Sequence, residues 1–391
     1  MTTRDAVIVG WGHTPFGRLG EGLEELVCAA GREALNRVGV EARDVGGIWL
    51  GLFGAGMTRD GFASSLALGI DDALRFVPCT RVENACASGS AAIHAARAAI
   101  RAGDVRVALV IGAEKMTEVD TAGVTGALMQ AGYAPEDSGR SFPHIFAGVA
   151  ATYFQRHGDR SEALARIAAK NHRNALRNPL AQMRRDLGFE FCNTVSDRNP
   201  LIAPPLRLSD CSLISDGAAA LVLVADDMAE EFEHAVRFRA AVQVNDWLPM
   251  SRRDMLDFPG PTEAFRRAYD AAGVTVDDLD LAEVHDCFTV AELMTYEAMG
   301  LVPKGRGAQA IDEGWVERDG RLPVNLSGGL KAKGHPVGAT GVSMHVMVAR
   351  QLANEAGEMQ APGAELGAVF NMGGSGVANY VSILERVGGR A

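Results

Sequence analysis

Val82-Glu83-Asn84-Ala85-Cys86-Ala87-Ser88-Gly89-Ser90 joins an extended run to a helix-forming one, and the rest of the chain is read outward from this turn. Upstream, Phe76 to Val82 is extended, with Pro78 near its start as an edge or strand-entry residue. Downstream, Ala91 to Ile100 has strong helix propensity, and Gly103-Asp104 closes it. Cys86 therefore falls at a strand-to-helix turn, beside the unpaired N–H groups of a new helix, where the local dipoles favour a thiolate. The surrounding Ala, Gly and Ser let backbone or substrate approach closely. Alone, such a residue reads as a buried structural thiol, because a free cysteine usually behaves as a small hydrophobe. Features elsewhere in the sequence reverse that reading.

The chain has 391 residues, 47% of them hydrophobic, enough for two ordinary domains or one large duplicated core. No segment is long and apolar enough to span a bilayer. Ala6-Val7-Ile8-Val9 is too short for the apolar core of a signal peptide, so a mature cytoplasmic start is expected, and Gly388 to Ala391 carries no address signal. The six cysteines (28, 79, 86, 192, 211 and 287) form no CxxC pair and no metal-ligand spacing, which suggests reduced thiols and no metal site. A net charge of −11 argues against a general nucleic-acid or anionic-membrane surface. It leaves room for an anionic small ligand. Lys331 and Lys333, two of five lysines, stand close to His335 and hint at a phosphate-bearing partner.

Ala6 to Gly10 reads as a buried strand. It ends in Gly10-Trp11-Gly12, which is no dinucleotide fingerprint because Pro15 follows and no helix opens. Leu23 to Val38 has helical periodicity, Gly47 to Leu52 reads as a strand, and Arg106 to Gly112 is the continuous apolar run of a fully buried strand. Strands alternating with helices indicate an α/β class. From Met116 to Leu206 strand-like runs give way to Gly, Pro, Arg, His and Asn, read as an inserted, mainly helical subdomain. Its charges Arg166, Lys170, His172, Arg173, Arg177, Arg184 and Arg185 suit a solvated helix face, with a phosphate landing site as the lesser reading. The α/β texture resumes at Ser215-Asp216-Gly217-Ala218-Ala219 and continues through a strand at Leu281 to Val284, which ends in His285-Asp286-Cys287-Phe288.

An internal echo follows. Strand, small-residue turn and small-residue helix around Cys86 match Val324 to His345, whose turn carries His335. Asp216 to Ala220 with its strand matches Asn371-Met372-Gly373-Gly374-Ser375-Gly376 with the strand after it. Two copies of one unit, related by a pseudo-twofold, would bring the Cys86 and His335 turns together. The expected division is 1–115 with 207–235 as the first half, 116–206 as the insertion and 236–391 as the second half.

With Asn84-Ala85-Cys86-Ala87-Ser88-Gly89, Ser215 to Ala219, His285 to Phe288 and Gly334-His335-Pro336-Val337-Gly338-Ala339-Thr340-Gly341 in view, the sequence resembles the thiolase superfamily over nearly its whole length. The nearest likeness is to the sterol-carrier-protein-type branch. The resemblance implies a five-layer αβαβα core, a loop subdomain over the active site, a homodimer or homotetramer, and coenzyme A thioesters as substrates with no tightly bound cofactor. It implies that Cys86 carries the acyl group, that His335 activates it, and that His335 and His285 hold the ketone or enolate oxygen. The backbone N–H groups of Cys86 and Gly373 would hold the acyl-enzyme oxyanion, and Ser212 would meet the pantetheine arm, with Asn371 and Lys333 also at the substrate. Arg173, Arg177, Arg184 or Arg185 would meet the CoA phosphates. Better-known thiolases carry a cysteine where this chain has Asn371, and a neutral amide cannot carry a proton at neutral pH. Cys287 is the expected substitute, its pKa lowered by a nearby imidazole. The activity implied is 3-ketoacyl-CoA thiolysis or its reverse, Claisen condensation. Alternatives are a C-acyltransferase or retro-aldolase on the same fold, or a thiolase-like subunit completed by a small partner protein.

Overall fold

The computed structural model describes residues 5–387; the readings of residues 1–4 and 388–391 lie outside it. In chain order the first half contributes β1 (Ala6–His13), α1 (Leu23–Val38), β2 (Gly47–Gly51), β3 (Cys79–Val82), α2 (Ser88–Ala102) and β4 (Val107–Glu114). The stretch that follows holds helices α3 (Thr121–Leu128), α4 (Ala134–Asp137), α5 (Phe142–His157), α6 (Ser161–Ala175) and α7 (Gly188–Asn193). A small antiparallel ribbon, β5 (Leu201–Ala203) with β6 (Leu206–Arg207), closes it, where no strand was expected. Then come β7 (Gly217–Ala225), β8 (Ala235–Asn245), α8 (Pro259–Ala272), β9 (Leu281–Val284), α9 (Thr289–Ala298), α10 (Gly307–Asp312), α11 (Val337–Leu352), β10 (Leu366–Gly373) and β11 (Ala378–Val387).

The strands pair in the order β3-β2-β4-β7-β1-β8-β11-β10-β9. Within the first half β3, β2 and β4 are parallel while β7 and β1 are antiparallel to their neighbours. The second half repeats this: Val324 bridges β9 in parallel, β9 and β10 are parallel, and β11 and β8 are antiparallel. The duplication read from the sequence is thus a duplication of topology. The halves meet edge to edge where β1 pairs with β8 through Val7–Arg237 and Ile8–Val236. Helix α1 packs on β1, β4 and β7, α8 on β8 and β11, and α11 lies between the halves against β4, β7 and β10. These are the alternating helix and sheet layers of the expected α/β core.

Helices α2 and α11 touch backbone to backbone. A Cβ on Gly89 would stand 2.8 Å from the Gly338 carbonyl, and one on Gly341 would stand 2.3 Å from the Ser90 nitrogen. Only residues without a side chain permit this approach. Two expectations change in detail. Phe76 is 85% exposed with a left-handed backbone (φ 77), so the extended run begins at Cys79, although β3 is an edge strand as Pro78 suggested. Lys170 and His172 are fully buried. On α6 only some of the charges face water, among them Arg166 and Arg173, which pair with Asp312 and Glu317.

Candidate active site

Cys86 occupies the turn between β3 and α2. Ala85, just before it, is held at φ 51, a conformation that an L-residue adopts at some cost. Ser88 keeps the turn closed: its hydroxyl accepts the Asn84 N–H (2.9 Å) and donates to the Ala85 carbonyl (2.6 Å). The equivalent turn before α11 carries His335. It follows one wide, π-type turn at Gly329–Lys333. The His335 N–H donates to Ser215 Oγ (2.9 Å), which in turn donates to Gln182. Asp216 binds the Met116, Thr117 and Leu19 N–H groups, the Thr117 hydroxyl and the Lys115 ammonium. The Ser215-Asp216 motif is therefore a clamp that fixes both the His335 loop and the chain leaving β4.

A cavity of about 280 Å³ is lined by Cys86, Cys287, His335, Ser212 and Gly374, with Phe142, Phe146, Phe288 and Val337 among its apolar walls. The structure thus brings together four of the residues singled out from the sequence. Ser212 N–H also donates to the Cys287 carbonyl (2.9 Å). His285 is 1% exposed and is not among the residues lining the cavity. Its ring meets that of His335 edge to face, centroids 5.1 Å apart.

Hydrogen-bond partners assign the tautomers. The Thr340 hydroxyl donates to the Pro336 carbonyl (3.0 Å), so at 2.7 Å it accepts the His335 Nδ1–H. That leaves His335 Nε2 bare and able to accept a proton. His285 Nδ1 accepts from Asn371 Nδ2 (3.0 Å) and faces the Met372 N–H (3.5 Å), so its proton sits on Nε2. Burial, with help from the Lys333 charge, lowers the His335 pKa to about 3, and burial likewise holds His285 well below the usual range. Both imidazoles are neutral.

The thiols behave differently from expectation. Burial outweighs the turn's dipoles and pushes Cys86 up to about 12, with Glu114 adding to the rise. The backbone N–H groups of Gly374 and of Cys86 itself, which lie near the sulfur, pull the other way. Cys287 lies close enough to feel the Cys86 charge. Burial first, then the repulsion that a Cys86 thiolate would exert, raises it well above the ordinary thiol value, and no imidazole lowers it. Both cysteines rest as thiols.

Three further expectations are corrected. Lys333 is 1% exposed; its ammonium donates to Ser343 Oγ (3.0 Å) and lies 4.0 Å from Glu283, so it is engaged within the core and does not line the cavity. Asn371 is fully buried. Its Nδ2 donates to the Cys86 carbonyl (3.1 Å) and to His285, while its Oδ1 accepts from Ser90 (2.8 Å). It is a positioning residue, clamping the cysteine turn to a histidine. Gly374, one residue beyond Gly373, has its N–H near the thiol and lines the cavity; both glycines border an outer groove, and Gly373, packed under Asn84, does not reach the cavity.

Two functional groups went unread in the sequence. Glu114, at the end of β4, accepts the Phe53, Gly54 and Gly338 N–H groups, and burial raises its pKa to about 7. Beneath His285 to Phe288, a buried network joins Glu292 to Lys170, Asn171, Asn325 and Tyr296. Asp286 accepts from Asn171 and from the Leu330 and Lys331 N–H groups, which ties the Cys287 turn to the His335 loop. The available signal was a lone acid closing or interrupting an apolar run, as in Val107 to Glu114 and Val290-Ala291-Glu292-Leu293. Among the described residues no group of His, Cys, Asp and Glu has the form of a metal site, and no helix is long and apolar enough to cross a membrane.

Known proteins give the same picture. Residues 6–187 match the family model for the thiolase N-terminal domain, and residues 241–386 the one described as thiolase C-terminal domain-like. The chain is similar to an acetyl-CoA acetyltransferase of Methanothermobacter thermautotrophicus, with 37% identity over 98% of this chain and 100% of the relative. It is also similar to human sterol carrier protein 2 (31% identity; 95% and 70% covered). A third relative is benzoylsuccinyl-CoA thiolase subunit BbsB of Thauera aromatica (31%; 90% of each). Among solved structures, one titled Ltp2-ChsH2(DUF35) aldolase superposes with a TM-score of 0.82 at 24% identity, covering 98% of each chain, which speaks to the fold alone. By sequence, duplicated topology and the clustered Cys86 and His335 turns, the chain belongs to the thiolase superfamily, on the branch that includes sterol carrier protein 2.

Proposed function

We propose that the protein is an acyltransferase of the thiolase type in which Cys86 carries the acyl group of a coenzyme A thioester. The observation that supports this most is the pairing of a neutral Cys86 thiol with a His335 whose Nε2 is bare, both on one cavity. Neither group is charged at rest, so sulfur attack and proton transfer are coupled: Cys86 Sγ bonds to the carbonyl carbon as its proton passes to His335 Nε2. The carbonyl oxygen becomes an oxyanion that the Cys86 and Gly374 N–H groups can receive.

In thiolysis of a 3-ketoacyl-CoA, the C2–C3 bond then breaks, the acyl group stays on sulfur, and the electron pair leaves on C2. Cys287 protonates that carbon, since a thiol with a raised pKa arrives protonated. It regains its proton from the incoming CoA thiol, whose sulfur takes the acyl group from Cys86, and the departing Cys86 sulfur takes back the proton held on His335 Nε2, which restores both groups. Claisen condensation is the reverse. Ser212, on the cavity wall, is the candidate contact for the pantetheine arm. Coenzyme A is substrate and product here, with no tightly bound cofactor.

The same proposal includes the division into two halves and an insertion at 116–206, a cytoplasmic, lipid-metabolic setting, and a homodimer or homotetramer covering the β3 edge. Sedimentation at micromolar concentration tests the assembly. A small partner protein is favoured by one feature: Val195, Leu201, Ile202 and Leu208 are exposed apolar residues, and Ile202 and Leu208 line cavities. Co-purification from the native source followed by size exclusion tests that part. Intact-protein mass after incubation with a panel of acyl-CoAs tests the function, since the mass gained on Cys86 names the acyl group; no gain with any member rejects the reading.

A further inference from the structure

A second cavity, of about 570 Å³, adjoins the first through Cys211, Ser212 and Leu213, which line both. Two polar side chains in its wall lack partners. His172 is fully buried, and neither ring nitrogen makes a hydrogen bond of sound geometry, although the Arg185 backbone lies near the ring. Lys331 is 3% exposed, and its ammonium has no hydrogen bond or ion pair among the described residues. The other buried lysines are all engaged: Lys115 by Asp216, Lys170 by Glu292 and Lys333 by Ser343.

A buried ammonium without a counter-group costs several kcal/mol, so an unpaired one in a cavity wall marks a missing partner. The nearby acids are committed elsewhere. Asp210 is bound by Arg207 and Thr289, and Asp286 by Asn171 and two backbone N–H groups. Asp186, also in the wall, accepts the Gly188 N–H. At the mouth stand two exposed guanidinium groups, Arg185 and Arg198, neither in an ion pair among the described residues. The chemistry is that of a host for a negative guest.

We propose that this cavity is an anion subsite, receiving a compact oxyanion, a carboxylate or a phosphate group, on the Lys331 ammonium and a His172 N–H, with Arg185 and Arg198 at its entrance. The anion comes either from a free ion or from an acidic group on the substrate; the second source rests on the acyl-transfer reading above.

Titration of inorganic phosphate and of succinate into the full-length Cys86→Ser protein tests binding with no acyl transfer involved. Binding is expected, weakened about tenfold or more by Lys331→Met, as loss of one charge-assisted hydrogen bond predicts. If Lys331→Met does not fold, Arg185→Ala at the open mouth takes its place, with an expected loss of about twofold to fivefold. Lys304→Met, at an exposed lysine paired with Asp257, should change nothing. In the wild-type background, acylation by succinyl-CoA against acetyl-CoA, and binding of CoA against dephospho-CoA, separate the sources. A ratio that falls in the Lys331 or Arg185 variant assigns the anion to the acyl end or to the nucleotide end, and unchanged ratios with intact phosphate binding assign a free ion. No binding of either anion by the parent protein, or binding untouched in every folded variant, overturns the proposal and leaves a water-filled cavity.

Discussion

The His285 and His335 rings stand at 88° to one another, so an edge of one faces the plane of its partner, and both are neutral. They do different things. His335 borders the cavity with a bare Nε2, whereas His285 carries its proton on Nε2 and is anchored by Asn371. His335→Ala should lower kcat by about a hundredfold or more, the usual range for a lost general base, while CoA binding changes little. His285→Ala should lower kcat by a similar order, since its Nε2–H is the proposed donor to the substrate oxygen. Steady-state kinetics with separate CoA titration checks both, and a silent His285→Ala would reduce that residue to packing against His335.

Cys86→Ser should abolish the mass gain on incubation with acyl-CoA and leave CoA affinity near the parent value. Near-parental turnover of acetoacetyl-CoA by this variant would place the nucleophile elsewhere.

Cys287→Ala separates the half-reactions. Acylation of Cys86 should survive while carbon–carbon cleavage or formation stops, because the carbanion then lacks its proton donor. Adding Asn371→Cys should restore little, since it also removes the amide that ties His285 to the Cys86 carbonyl. Full turnover in Cys287→Ala would mean that another group moves the proton.

Acid should unfold the protein early. His13, His94, His172 and His335 are depressed to about 3 and His345 to about 4, chiefly by burial. A depressed histidine contributes stability above its unfolded value of about 6.5 and loses it as pH falls towards the folded value. Glu114 and Asp286, raised to about 7, act in the opposite sense and favour the fold as pH falls from about 7 to about 4. The histidines outnumber them, so urea midpoints should drop from pH 7 to pH 5. A midpoint that rises over that interval would show that the two carboxyl groups dominate.

Local chemistry was legible wherever one residue type dictates one conformation. Helix α1 runs from Leu23 to Val38 as its periodicity required, and the Cys86 and His335 turns are where small residues interrupt strand and helix. The duplication was readable because both copies repeat the same order of strand, turn and helix. Reading failed where a long-range partner decides a residue's fate. Lys333 and Asn371 looked like ligand contacts beside a glycine-rich turn, yet Ser343, Ser90 and His285 claim them. Cys86 sits at the expected dipoles, but its desolvation depends on walls contributed by residues distant in the chain, as far along as Gly374. Glu114 resembles any strand-ending charge until three distant N–H groups converge on it.

The crossing at Gly89, Gly338 and Gly341 sets the spacing of the Cys86 and His335 turns through main chain. Side-chain repacking elsewhere leaves the spacing of those two main chains in place. The apolar wall residues Val124, Leu128, Phe142, Phe146 and Ile202 are not part of that crossing. The acyl pocket can therefore be reshaped at those side chains while the two turns keep their spacing, whereas a methyl group at the crossing would push the helices, and with them both turns, apart.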